Sequence, residues 1–95
     1  MTNEIYEQSG SEIIQQLGKR FGDYRRRMKI TQKEVAGKSG LSVFTISCFE
    51  NGSSTGITLA SFIKLLRAIE SLDEIEKLLP ELPLSPRSLF KKQQK

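Results

Sequence analysis

Ninety-five residues with a net charge of +4 and a pI near 9.4 suit one small domain with tails, and leave little chain for a deep enzyme pocket. There is no His and no Trp, so the commonest acid–base group and metal ligand is missing. The one Cys cannot form an intramolecular disulfide, which suits a reducing cytoplasm; no run is long and apolar enough for a membrane span, and no secretory leader is evident.

Residues 1–9 are polar and read as a flexible lead-in, with Ile5 and Tyr6 available to dock. Ser9 and Glu12 stand at capping-box spacing, so a helix is predicted from about Gly10. Ile13, Ile14, Leu17, Phe21, Tyr24 and Met28 recur every three or four residues, one apolar stripe along that helix. Gly18 and Gly22 weaken it unless another element comes close there. Thr31 and Glu34 form a second capping box, opening a short helix that turns Val35 and Ala36 inward. Gly40 stops that helix, since glycine takes positive φ at no steric cost, and Leu41 can plug the corner. Ser42 caps a third helix whose inner face holds Ile46 and Phe49. Val43, Phe44, Thr45, Ser47 and Cys48 are then expected to point outward. Thr58 caps a fourth helix, rich in Leu59, Phe62, Ile63, Leu65, Leu66 and Ile69. Ser71 and Glu74 repeat the capping spacing and predict a fifth, with Leu72, Ile75, Leu78 and Leu79 on its apolar face. Pro80, Pro83 and Pro86 end regular structure, so residues 80–95 are expected to be a basic tail and residues 10–79 the domain.

Charge is segregated along the chain. Residues 19–40 hold eight basic groups against two acids, whereas residues 70–81 hold five acids and one base, Lys77. The first segment suits a polyanion and the second would be repelled by one.

The string TQKEVA, the turn SGLS and the run TIS-x-FENG, within residues 31–52, resemble the helix-turn-helix of the Xre/Cro/λ-repressor-like regulators. The resemblance implies an all-α, five-helix domain that binds double-stranded DNA, with the third helix in the major groove. It implies that the position of Gln32 holds the DNA backbone, and that Arg25 of the first helix bonds Glu50 at the end of the third as a structural ion pair. The residues themselves add that Thr31, Gln32 and Lys33 open a helix where free N–H groups favour an anion, and that Asn51 and the following loop can grip the far side.

The outward set of the third helix lacks Arg, Lys, Gln and Asn before Asn51. Val43 and Phe44 can instead touch thymine methyl groups, while Thr45 and Ser47 can hydrogen-bond. The bland alternative is that Val43 or Phe44 packs on another protein surface, and that Thr31 and Asn51 only cap and turn. Arg20, Arg26, Arg27, Lys29 and Lys38 either meet phosphate or act at long range. Cys48 has no resolving partner and reads as a packed or neutral surface residue rather than a redox sensor; with Ser42 it completes the expected DNA-binding set of the third helix.

One recognition helix reads few base pairs, so a homodimer is expected, with half-sites ~34 Å apart. Leu72, Ile75, Leu78, Leu79, Leu82 and Leu84 supply a dimer surface or complete the monomer core. The same patch suits a toxin, because some antitoxins resemble this short domain and its TIS-x-FEN string. A third alternative is an adaptor that kept the fold and lost DNA. No nucleophile–base pair, metal cage, cofactor site or small-molecule site is expected, so an enzyme is not the reading.

Overall fold

A computed structural model describes residues 4–83. Four α-helices follow one another: α1 (Gly10–Arg27), α2 (Gln32–Ser39), α3 (Val43–Asn51) and α4 (Leu59–Ala68). Short 3-10 segments at Glu4–Glu7 and Leu72–Lys77 flank them, and no strand occurs among the described residues. The fold is the expected all-α helix-turn-helix arrangement. Leu84 and the basic tail lie outside the described residues.

The helix starts form as their sequences dictate. Ser9 and Thr31 each close a reciprocal capping box, with Glu12 and Glu34 reaching back to the cap N–H at 2.7 and 2.8 Å. Ser42 and Thr58 cap α3 and α4 by accepting from the N–H groups of Thr45 and Ser61. Two helix ends use glycine in the left-handed region, Gly40 at φ 80° and Gly52 at φ 82°. The other two do not. Lys29 (φ 60°) and Glu70 (φ 58°) take that conformation, each followed by an N–H bonded back across six residues: Ile30 to the Arg25 carbonyl, Ser71 to the Leu66 carbonyl.

The closure at Glu70–Ser71 explains why the fifth helix is a 3-10 segment rather than an α-helix. Ser71 donates its N–H to the Leu66 carbonyl and its hydroxyl to the Ile69 carbonyl; turned back this way it makes no side-chain cap bond, and the expected box with Glu74 does not form. Pro80 lies too near for a long helix to compensate, and short helices are marginal alone. Leu72 and Ile75 pack on the edge of the core, while Leu78, Leu79 and Leu82 are exposed. The expected dimer set is thus divided: two residues serve the monomer. At the other end, Ile5 and Tyr6 are exposed and dock nowhere.

The core gathers Phe21, Val35, Ile46, Phe49, Phe62, Leu65, Leu66, Ala68 and Ile69. Phe49 of α3 is its centre, with its ring 5.9 Å from that of Phe21 and 6.1 Å, edge-on, from that of Phe62. Ile14, Leu17, Ala36 and Leu41 back this cluster in half-buried positions. The α1 stripe runs out sooner than its spacing suggests, since Tyr24 and Met28 are exposed. At Gly18, α3 comes so close to α1 that a methyl group would overlap the Phe49 carbonyl oxygen; at Gly22 it would press on the Glu50 carboxylate.

A second lock is ionic. Arg25, 8% exposed, donates from Nε and Nη2 to the two Glu50 oxygens at 2.7 and 2.9 Å, and from Nη1 to the Ile30 carbonyl at 2.9 Å. Gln32 Nε2 donates to Glu50 Oε1 at 3.1 Å. One carboxylate at the end of α3 therefore ties together α1, the α1–α2 link and the start of α2. The hydrogen bonds that Arg25 donates to Glu50, assisted by the carboxylate's charge, hold the guanidinium above its ordinary range although burial acts the other way. Gln15 adds a smaller latch, donating to the Gly52 carbonyl at 3.2 Å.

Three outcomes follow for stability. Glu50→Ala leaves a buried guanidinium without its anion and should cost about 3 kcal/mol or more in urea unfolding; the double variant Arg25→Met/Glu50→Leu should regain much of that loss. Gly18→Ala should destabilise despite alanine's better helix propensity, whereas Gly37→Ala, with open space at its Cβ, should stabilise by up to ~1 kcal/mol. Glu34 is held below the usual carboxylate range by its bonds to Thr31, through the backbone first. The folded state then releases this proton more readily than the unfolded chain. Its contribution is present above the unfolded pKa of about 4.3 and fades as pH falls through the lower folded value. Glu34→Gln should flatten the acid limb of a Tm-against-pH curve.

Candidate nucleic-acid interface

The turn between α2 and α3 is short and firmly specified. Gly40 sends its N–H to the Ala36 carbonyl, buried Ser39 accepts the Leu41 N–H at 3.1 Å, and Leu41 packs into the corner. This fixes α3 against α2, and the Gly18 contact fixes it against α1. What α3 turns outward is consequently determined by its inward face, where Ile46 and Phe49 are buried.

The outward residues fall into two groups. Val43 (42% exposed), Phe44 (78%) and Thr45 stand in solvent. Ser47 and Cys48 are half-buried, so they are flanks of the surface rather than its crest. Ser42 is exposed, but its hydroxyl is committed twice: it accepts the Thr45 N–H at 3.0 Å and donates to the Thr45 hydroxyl at 2.9 Å. Asn51 is exposed and its Oδ1 accepts the Ser53 N–H at 2.8 Å, forming the turn that leaves α3.

The start of α2 presents Thr31 and Lys33 in exposed positions and Gln32 half-buried. Thr31 and Glu34 satisfy each other, which leaves the first N–H groups of the helix, those of Gln32 and Lys33, without an intrahelical acceptor. The Gln32 side chain is drawn inward to Glu50. It therefore links the end of α3 to the start of α2, a contact with no local signal in the sequence. The Gln15 contact with Gly52 has none either, because a glutamine bonded to a carbonyl leaves no periodic pattern.

The basic segment is less uniform than its count suggests. Lys19, Arg20, Arg26, Arg27, Lys29, Lys33 and Lys38 are exposed, but Arg25 is consumed by Glu50 and Arg26 pairs with Asp23 at 2.8 Å. Arg20 lines an apolar groove of about 200 Å³ with Leu17, Phe21, Phe62, Leu66 and Leu78, between α1, α4 and the second 3-10 segment. It is accordingly associated with the leucine patch.

The sequence model of the helix-turn-helix family matches residues 22–78. No curated protein and no solved structure matches the chain significantly. The match takes in the end of α1, the whole α2–turn–α3 unit, α4 and the second 3-10 segment, which is more than half of the chain. With α3 presented beside the open start of α2, the chain belongs to the Xre/Cro/λ-repressor-like helix-turn-helix family, whose members are DNA-binding regulators.

Proposed function

We propose that this protein is a sequence-specific transcriptional repressor that binds duplex DNA as a homodimer in the cytoplasm, with α3 lying in the major groove. The single observation that carries the reading is the exposed first turn of α3, on a helix whose other end is bonded through Glu50 to Gln32 at the start of α2, where the Gln32 and Lys33 N–H groups have no intrahelical acceptor. An α-helix fits the major groove, and a helix start favours a phosphate beside it. Thr31 and Lys33 hold the backbone on one side; Asn51, with Ser53, Ser54 and Thr55, approaches it on the other. Phosphate contacts position the domain, and α3 selects among sequences.

The homodimer is supported by Leu78, Leu79 and Leu82, which are 56%, 90% and 86% exposed beside the apolar groove. Three neighbouring leucines left in water indicate a covered surface more than scattered exposed residues do. That same observation favours one alternative: the patch binds a toxin, and DNA binding serves autoregulation of the pair.

Two measurements test this. In gel-shift titrations, log K should fall linearly with log salt, and Lys33→Ala should make the slope shallower by about 0.9 per subunit. A protein that shifts no duplex at low ionic strength ends the DNA-binding reading. Leu79→Glu/Leu82→Glu should convert a sedimenting dimer to monomer and weaken operator binding at least tenfold, with the melting temperature little changed. A wild-type monomer that binds the product of a neighbouring gene through these leucines would select the antitoxin alternative.

A further inference from the structure

Three features of α3 point to one mode of reading. First, its crest is carbon: the Phe44 ring is the most exposed large side chain of the helix, with Val43 beside it. A single exposed phenylalanine needs no ligand to explain it, so the neighbouring polar groups decide the matter. Second, several of those groups are engaged within the protein, and the Thr45 and Ser47 hydroxyls that remain serve donor and acceptor edges alike. The Ser42 hydroxyl both accepts from and donates to Thr45, Glu50 is held by Arg25 and Gln32, and Asn51 Oδ1 is bonded to Ser53. Third, bidentate recognition of guanine or adenine needs an Arg, Lys, Gln or Asn with donors and acceptors free, and α3 offers no such residue ahead of Asn51. Hydroxyls that serve either kind of edge discriminate weakly, so apolar contact is left to tell base pairs apart, and the major-groove feature that rewards it is a methyl group on pyrimidine C5.

We propose that the Val43–Phe44 crest reads the C5-methyl group itself, so that 5-methylcytosine replaces thymine at the contacted position and unmethylated cytosine or uracil does not. The inference depends on the DNA-binding reading above and adds a ligand class to it: duplexes carrying pyrimidine methyl groups, including methylated cytosine. Uracil keeps every hydrogen-bonding group of thymine and lacks only the methyl, which isolates the contact. 5-Methylcytosine keeps the methyl and exchanges the O4 acceptor for an amino donor.

The test uses the full chain and a random-sequence duplex pool from which bound molecules are selected, followed by resynthesis of the enriched site. Uracil for thymine at a contacted position should weaken binding by about fourfold for each methyl lost. Exchanging that base pair for one containing 5-methylcytosine should bind at least threefold better than the same exchange with cytosine. The double variant Val43→Ala/Phe44→Ala should lose the preference, its affinities for the thymine and uracil duplexes differing by less than about twofold. Equal binding of thymine and uracil duplexes by the unaltered protein overturns methyl reading and leaves DNA binding intact. Failure to retain any duplex overturns both.

Discussion

The buried Arg25–Glu50 pair is the constraint on which the rest of this small protein depends. A chain of this size buries only a modest core, so each contact that fixes one helix against another weighs heavily. Placing one carboxylate where α1, the α1–α2 link and the start of α2 converge replaces area with geometry, because a bidentate guanidinium–carboxylate contact admits few orientations. A hydrophobic pair of the same volume would hold the helices about as tightly, since buried ion pairs recover little more than their desolvation. What the ionic pair adds is direction: α3 ends at a defined height along α1.

From that fixed end the outward surface of α3 follows. Ile46 and Phe49 point into the core, so the opposite side of α3 begins with Val43, Phe44 and Thr45. The capping of α3 is achieved by Ser42 and that of α2 by Thr31. The residues that begin the helices are therefore the ones nearest the proposed phosphates, and capping and anion binding draw on different N–H groups of the same turn.

Much of this was legible in the chain. The capping boxes at Ser9 and Thr31, the glycine stop at Gly40, the caps at Ser42 and Thr58 and the inward Ile46 and Phe49 are local signals, each set by a few neighbours, and each formed. The Arg25–Glu50 pair, 25 residues apart, came from family resemblance rather than from any local pattern. Signals that depended on competition among neighbours were misleading. Ser71 and Glu74 have capping-box spacing, yet the left-handed turn at Glu70 claimed the groups of Ser71 first. Tyr24 and Met28 continue the α1 stripe in sequence, but they are exposed where Phe21 and Leu17 meet the core. Gln32 was expected only at the DNA backbone, and its bond to Glu50 became visible only with the helices assembled.

The near-contact of α1 and α3 at Gly18 bears on how such a protein changes its target. There the two helices meet main chain to main chain with the Phe49 ring alongside, so the contact owes nothing to the outward side chains of α3. The seat of α3 is then indifferent to what its solvent face carries. Under the proposed function, residues 43, 44 and 45 form a cassette that drift or an engineer can exchange, and the domain is retargeted without a new scaffold.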